Sequence, residues 1–237
     1  MKISSVSCNT NFNKISIGHR KNRPMKSQVH FGALPISKIH INTPMANQVY
    51  KLYELSKEDS GVLDNLSECI NLEFLLPNLK VPDYTLYNSI IKDALRIGAS
   101  GSDKSLLLAA EGKRPCGILN YSDNKSKYFV STVATWPIEQ NKKLPYPCKA
   151  MMSELFDRLI DSDAHSIELY ALRDSVGDPV TKYFQMGFKT YGGDNITETM
   201  RIAKEDAIKS LEKFKSIMKR EPLTNQNNVD LSKELII

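Results

Sequence analysis

Hydrophobic and polar positions along this 237-residue chain change period several times, and each change predicts a new element. Residues 49–55 alternate apolar and polar side chains and are β-prone, which predicts a strand. From Ser56 the apolar spacing becomes three and four residues, behind a serine and acidic first turn, so a helix follows. After Pro77 and Pro82 interrupt this pattern, a second helix is predicted over 84–97.

A meander of three strands is predicted next, at 105–110, 116–121 and 127–135, with turn residues between them. Pro137 closes the third strand because proline cannot donate to a continuing ladder. A helix from Pro147, a strand at 166–172 and a last strand at 197–202 follow. An amphipathic helix over 204–221 ends at Pro222, and residues 222–237 form a tail.

The stretch 178–188 is predicted to be a short helix that stops at a glycine. Asp178 is a good N-cap, and Pro179 suits the first helical position, where no N–H is needed. Gly187 supplies a left-handed C′ residue, and Phe188 is placed to pack back on the last turn. One face carries Val180, Tyr183 and Phe184. Taken alone, the pattern also fits an ordinary core helix.

The formal net charge of +5 comes from one end of the chain. Residues 1–44 hold seven Lys or Arg and no acidic residue, which leaves 25 basic and 27 acidic residues in the remainder. We therefore predict a basic, disordered extension over residues 1–44 and a nearly neutral domain from residue 45 onward. A near-neutral domain argues against a specific nucleic-acid partner.

Composition sets the class of protein and its compartment. The chain is 41% hydrophobic and 25% charged, as in globular proteins. It has no apolar run long enough for a membrane span and no secretory signal pattern. The four cysteines show neither metal nor disulfide spacing, so we expect a cytoplasmic protein with no metal site.

The predicted order is strand, two helices, three-strand meander, helix, strand, helix and strand. In this order the chain resembles the GNAT superfamily of acetyl-CoA-dependent N-acetyltransferases over roughly residues 48–203. Residues 50–59 resemble the family's opening strand and helix, 133–137 the end of its fourth strand, and 183–188 its tyrosine-to-glycine-phenylalanine signature. The resemblance implies an α+β (α/β) fold for 45–203: a mixed, mostly antiparallel central sheet of six to seven strands flanked by helices. The helix at 204–221 is then an addition.

The resemblance also implies where acetyl-CoA binds. In such folds the fourth and fifth strands splay apart, and the pantetheine arm adds to the free edge as an extra strand would. The backbone of Val133, Ala134 and Thr135 would take that role. The pyrophosphate would lie at the N-terminus of the next helix, where free N–H groups and the helix dipole favour an anion. The residues implied there are Tyr146, Cys148, Lys149 and Ala150, with Lys142 and Lys143 adding charge.

This pyrophosphate loop departs from the family pattern. The usual motif is an Arg or Gln followed by two glycines spaced by one residue and then the helix. Aligned on Ala150, Lys143 takes the basic position, and Tyr146 and Cys148 replace the two glycines. Glycine lets the backbone approach phosphates closely and adopt positive φ, so the loop binds in a different geometry or has lost the cofactor. Cys148, at a helix start, is a candidate for a lowered pKa.

The resemblance assigns Tyr183 as the general acid that protonates the departing CoA thiolate. For the general base, Glu111 at a strand end, Glu168 on the 166–172 strand and a chain of waters stay open as alternatives. Ser131 lies in mid-strand, and the sequence shows no base paired with it.

Two functions and one unrelated fold stay open as hypotheses. The first is an N-acyltransferase that moves an acetyl or other acyl group from acyl-CoA to a primary amine, on a small molecule or a protein, by direct attack in a ternary complex. The alternative is a non-catalytic GNAT-like binding module that has lost efficient CoA binding. An unrelated α/β domain sharing only the order of elements is a third.

Overall fold

The computed structural model describes residues 32–110, 113–173, 177–224 and 226–237. Within these residues, nine strands form one sheet. They are β1 Leu34–Thr43, β2 Ala46–Glu54, β3 Lys104–Ala110, β4 Arg114–Asp123, β5 Lys127–Thr135, β6 Ser166–Leu172, β7 Lys189–Gly193, β8 Thr197–Ala203 and β9 Met218–Pro222. Their order across the sheet is β7-β8-β6-β5-β4-β3-β2-β1-β9. The fold is mixed α+β with a mostly antiparallel sheet, as predicted, but the sheet is wider than six or seven strands.

Helices cover both faces of the sheet. They are α1 Ser60–Cys69, α2 Leu72–Leu75, α3 Val81–Ser100, α4 Pro147–Ile160, α5 Pro179–Gln185, α6 Lys204–Phe214 and α7 Leu231–Glu234, with a 3₁₀ turn at Lys57–Asp59 before α1. Within the described residues, no helix is long and apolar enough to cross a bilayer.

The sheet separates two apolar cores. On one face α4 and α6 pack on the central strands through residues such as Met151, Phe156 and Phe214. On the other face α1 and α3 pack through Leu63, Ile91 and Leu95. Strands β3 and β4 are buried on both sides, which explains why they read as continuous apolar runs rather than alternating ones.

The pair β5 and β6 is the parallel pair among the registered strands, and α4 forms the crossover between them. Their pairing begins at Lys127 opposite Ser166 and ends at Val130 opposite Leu169. Both strands continue past that point, β5 along β4 and β6 along β8. The two strands therefore part beyond Val130 and Leu169.

The boundary predicted at residue 44 is wrong for part of the extension. Residues 34–43 form β1, which pairs with β2 as an antiparallel hairpin and lies inside the sheet. Alternate β1 residues such as Ile39 and Ile41 are fully buried, an alternation that the basic composition of the segment obscured. The disorder predicted for residues 1–31 lies outside the described residues.

The helix predicted over 204–221 is also corrected. Helix α6 ends at Phe214, and residues 218–222 form β9, paired antiparallel with β1. Residues 217 and 218 extended the amphipathic pattern, but pairing with a free strand edge decided the outcome. The predicted tail is partly ordered: Ala33 and Val229 exchange backbone hydrogen bonds of 3.1 and 2.8 Å, and α7 packs by Leu231 on the α3-side core.

Candidate functional site

A free strand edge opens where β5 and β6 part. Beyond Val130, residues 132–135 of β5 pair with β4 on one side, and no strand of the described residues pairs with their other side. Trp136 donates its N–H to the Cys116 carbonyl of β4, at 2.9 Å. Because backbone groups alternate in direction along a strand, Ala134 also faces β4, whereas Val133 and Thr135 direct their N–H and C=O groups to the open side.

The three predicted cofactor-binding residues of β5 are therefore not equivalent. Val133 and Thr135 lie on the free edge. Ala134 is 2% exposed and belongs to the core under α3, so its backbone is not offered to a ligand. The Thr135 carbonyl already accepts a hydrogen bond from the hydroxyl of Tyr87 in α3. No pattern in the sequence predicts this contact of Tyr87, since only the packing of α3 brings it to β5.

Helix α4 follows β5 in the chain, and its Met151 lies near the end of this edge. A Cβ built on Gly117 of β4 would be 3.0 Å from Met151 Cε and 3.3 Å from Thr135 Cγ2. The first backbone bond of the helix runs from the Ala150 N–H to the Tyr146 carbonyl, at 3.0 Å. Pro147 has no N–H, and no side chain caps the turn. The N–H groups of Cys148 and Lys149 are thus left for a ligand or water. Tyr146 has φ 54° and ψ 33°, the left-handed conformation that the glycine it replaces would adopt easily.

Tertiary contacts hold the loop before α4 in place. The buried Tyr50 hydroxyl donates to the Pro145 carbonyl at 2.8 Å. The Asn141 N–H donates to the Leu75 carbonyl at 3.0 Å. These anchors explain how a tyrosine stays at positive φ, which is a costly conformation for a side chain of that size.

The predicted lysines differ in what they contact. Lys142 pairs with Glu139 at 3.0 Å, and Lys143 is exposed. Lys149 lies over the rings of Tyr146 and Phe214, with its Nζ 5.1 and 5.7 Å from their centroids. Of the three, Lys149 is therefore the cation best held beside the open helix end. Ala150 is fully buried and contributes packing.

Helix α5 has the ends that the sequence predicts. The Asp178 side chain accepts from the Thr181 N–H at 3.1 Å, and Pro179 is the first helical residue. Gly187 has φ +92°, and its N–H bonds the Phe184 carbonyl at 2.9 Å. The Phe188 N–H bonds the Tyr183 carbonyl at 3.0 Å, which completes a Schellman motif. The predicted aromatic face is only partly inward, because the Phe184 side chain is 49% exposed.

Tyr183 lies beside the open end of α4. Its ring packs edge-on against Phe188, with centroids 5.5 Å apart. Burial raises the pKa of Tyr183 well above 10, and the nearby Cys148 thiol adds to the effect. Among the described residues, no hydrogen bond to the Tyr183 hydroxyl is found. The phenol thus keeps its proton at neutral pH, as a proton donor must.

Cys148 does not have the lowered pKa that its place at a helix start suggested. Burial raises the pKa of this thiol to about 11, although Lys182 and Lys149 oppose the shift. The thiol therefore stays neutral and unreactive. Lys182, on α5, is a further cation near this end of α4; its sequence context carried no signal, because a helical lysine is usually a solvated surface residue.

Of the two candidate general bases, Glu168 is not brought together with Tyr183. Glu111 lies outside the described residues. Glu168 lies on β6 between Ile167 and Leu169, which point into the α4-side core, so its own side chain points to the opposite face. Its carboxylate contacts Lys127 Nζ at 2.5 Å and Arg201 Nη2 at 2.5 Å. Burial alone would raise its pKa, but the hydrogen bonds from these two cations lower it, so Glu168 is a weak base.

Comparison with known proteins gives matches by structure only. No protein-family model and no curated protein matches the chain. A GCN5-related N-acetyltransferase from Brucella melitensis superposes with a TM-score of 0.51 and 9% identity, covering 77% of this chain and 88% of that one. An uncharacterized protein from Bacillus halodurans gives a TM-score of 0.50 and 11% identity over 77% and 98% of the two chains. PaiA N-acetyltransferase from Thermoplasma acidophilum, solved with coenzyme A, gives a TM-score of 0.45 and 18% identity over 65% of this chain and 98% of that one. That TM-score is too low to support an inference.

Proposed function

We propose that this chain, which has the fold of the GCN5-related N-acetyltransferases (GNAT fold), is an N-acyltransferase. It would transfer an acetyl or other acyl group from acyl-CoA to a primary amine by direct attack. The observation that carries the proposal is the free edge of β5 ending at an uncapped helix N-terminus. Such an edge can pair with the amide groups of a pantetheine arm, and the helix end favours a pyrophosphate.

The residues divide the work as follows. Val133 and Thr135 would bind the arm by backbone hydrogen bonds. The N–H groups of Cys148 and Lys149, with the Lys149 ammonium, would bind the pyrophosphate. Of the loop lysines, Lys143 is free to add charge, while Lys142 is engaged with Glu139. Tyr183 would donate its proton to the thiolate as it leaves.

Acetyl-CoA binding is tested first by thermal unfolding. A ligand that binds only the native state raises the melting temperature by mass action. We expect millimolar acetyl-CoA and CoA to raise it, and an unmoved melting curve would remove the acyl-CoA proposal. The role of Tyr183 is tested next: Tyr183→Phe should keep the shift while turnover falls by about 10²-fold or more. Tyr84→Phe, a tyrosine packed on the other core, is the control for loss of a hydroxyl.

One observation favours the alternative of a non-catalytic module. The Tyr87 hydroxyl occupies the Thr135 carbonyl, which is an acceptor that an added strand would need. If Tyr87 closes the edge, acetyl-CoA will not shift the wild-type melting temperature but will shift that of Tyr87→Phe. If the wild type responds as strongly as the variant, Tyr87 does not block the edge and this alternative loses its support.

A further inference from the structure

A serine and an aspartate that are 28 residues apart meet at the vertex where β5 and β6 part. Ser131 is the extra residue of a β-bulge, since Thr132 pairs with Asn120 and Val130 with Tyr121. It follows directly on Val130, the last residue of β5 that pairs with β6. Its side chain is exposed, and its Oγ lies 2.5 Å from Asp103 Oδ2 and 3.2 Å from the Asn120 carbonyl oxygen.

The hydroxyl has one proton for these two acceptors. A short bond to a carboxylate is stronger than a long one to a carbonyl, so the proton is directed to Asp103. The lone pairs of the exposed oxygen then remain able to accept a hydrogen bond from a ligand N–H. Ser131 is therefore oriented as an acceptor toward anything that reaches the vertex.

The Asp103 carboxylate is not neutralised by a cation. Among the described residues it makes no ion pair, because neighbouring Lys104 pairs with Asp123 at 3.5 Å and Lys127 pairs with Glu168 at 2.5 Å. Glu168, by contrast, is held by two cations. Of these two carboxylates near the vertex, only Asp103 has no cationic side chain paired with it among the described residues, so it can attract a cationic ligand.

The pair lies on the face of the sheet opposite to Tyr183. Asp103 lies two residues before Ser105, and side chains two residues apart along a strand share a face. The Ser105 hydroxyl donates to Asn120 Oδ1 at 2.6 Å, and Asn120 Nδ2 donates to the Ala94 carbonyl of α3 at 2.8 Å. Tyr183 packs on the core under α4. A reacting group at the parting of the strands would thus have a proton donor on one face and a proton acceptor on the other.

We propose that Ser131 is a catalytic residue that deprotonates the acceptor ammonium, with Asp103 as the positioning residue that receives the proton through it. This rests on the proposed acyl transfer. One ammonium N–H bond breaks as Ser131 takes that proton and passes its own to Asp103, which later releases it to solvent. The freed nitrogen lone pair forms the C–N bond and the C–S bond breaks. Tyr183 protonates the thiolate, and the second nitrogen proton restores Tyr183 through solvent, so one proton is released overall.

The test compares two amines with acetyl-CoA as donor. Propylamine is a cation at neutral pH and needs deprotonation, whereas hydroxylamine is neutral there and does not. For Ser131→Ala and Asp103→Asn, we expect kcat/KM for propylamine to fall by about 10²-fold and that for hydroxylamine to fall far less. Ser131→Thr, which keeps the hydroxyl, should restore the propylamine rate. Asp93→Asn, the same charge change at an exposed position of α3 where the carboxylate pairs with Arg96, should leave both rates unchanged.

Each other outcome overturns the relay. Equal losses with both amines indicate a structural role, and unchanged rates remove Ser131 from the reaction. If acetyl-CoA raises the melting temperature and Tyr183→Phe slows turnover while Ser131→Ala does not, the relay alone is wrong. If no amine releases CoA, the acyl-transfer proposal and the relay are both wrong.

A readout without turnover completes the test. In protein labelled with ¹³C-aspartate, the Asp103 carboxyl signal is assigned by its loss in Asp103→Asn. Adding propylamine to the CoA complex should shift this signal in the wild type and not in Ser131→Ala. A signal that stays in place in the wild type would show that no ammonium approaches the pair.

Discussion

Helices α4 and α5 begin with similar backbone conformations, but a side chain caps the first turn in α5 and not in α4. Each has proline as its first residue and an N-cap in the left-handed conformation, Tyr146 at φ 54° and Asp178 at φ 45°. In α5 the Asp178 carboxylate accepts the Thr181 N–H and closes the turn. In α4 no side chain closes it, and Lys149 lies over the Tyr146 ring instead.

The difference separates a helix end that is closed by a side chain from one that is left open, as the proposed pyrophosphate site requires. A carboxylate N-cap satisfies one free N–H and puts negative charge on the helix dipole, which repels other anions. A tyrosine N-cap does neither, and leaves the helix end electropositive. Helix α5 is also fixed at its far end by Gly187, so Tyr183 is carried on a short helix with both ends fixed.

The largest effect is expected from Gly187→Ala, which breaks the fixed end of α5. A Cβ there would lie 2.5 Å from the buried Ser210 Oγ, on a backbone with φ +92°. Positive φ costs about 1–2 kcal/mol for an ordinary residue, so we expect the free energy of unfolding to fall by about 2 kcal/mol or more. Chemical denaturation measures it. The control is Gly61→Ala, where a Cβ meets nothing within 4 Å and helix propensity predicts a small gain.

The next prediction converts the N-terminus of α4 into that of α5. Tyr146→Asp places a carboxylate where aspartate tolerates the left-handed conformation and can accept the Lys149 N–H. We expect the Kd for acetyl-CoA to rise about tenfold, or about 1.4 kcal/mol, while the melting temperature holds or rises. Calorimetric titration measures the affinity. Tyr146→Asn, a cap without charge, should lose much less, and equal losses would show that charge at this helix end is not what matters.

A smaller effect is expected from loosening the loop before α4. Tyr50→Phe removes the hydrogen bond to the Pro145 carbonyl, which costs about 1 kcal/mol of stability and frees the residue before Tyr146. We expect a lower melting temperature and weaker acetyl-CoA binding. The control is Tyr53→Phe, on the same strand as Tyr50. It removes a hydroxyl that donates to Glu234 of α7 at 3.1 Å, so it should lower stability without weakening acetyl-CoA binding. If both variants bind acetyl-CoA with the same affinity, the Tyr50 anchor of this loop plays no part in binding.

The smallest effect is expected from removing the charge of Asp178, the N-cap of α5. Hydrogen bonds from the Thr181 side chain and N–H lower the pKa of Asp178 below its usual range. A carboxylate with a lowered folded-state pKa stabilises the protein above its unfolded pKa, and this is lost as pH falls through the folded value. We therefore expect Asp178→Asn to melt slightly below the wild type at neutral pH, and this difference to narrow as pH falls below about 4. If the difference in melting temperature stays constant as the pH falls, packing rather than charge accounts for it.

Local chemistry made the strands and helices around the site predictable. The bounds of β5 and β6 and both ends of α5 follow from β-branched runs, a proline and a glycine. The backbone at Tyr146 did not, because its positive φ depends on Tyr50, 96 positions earlier, which bonds the carbonyl of the residue before it. No spacing rule links Ser131 with Asp103 either, since the α3–β3 loop brings them together only when the sheet forms.

The ends of the sheet were missed for a different reason. Strand β1 was hidden by a basic composition typical of extensions, and β9 by an amphipathic pattern that runs on from α6. Each pattern is a preference of an isolated segment. Such a preference is overridden when a partner strand offers hydrogen bonds. Here β1 and β9 pair with each other.

That last pairing sets an order of events during synthesis. Strand β1 can form its hairpin with β2 as soon as Glu54 has left the ribosome, but its outer edge waits for residues 218–222. Until then an open strand edge is presented to other nascent chains, which is a route to aggregation. A chain interrupted after α6 would keep every residue proposed for acyl transfer and still carry that exposed edge, so its failure would show as insolubility rather than as lost chemistry.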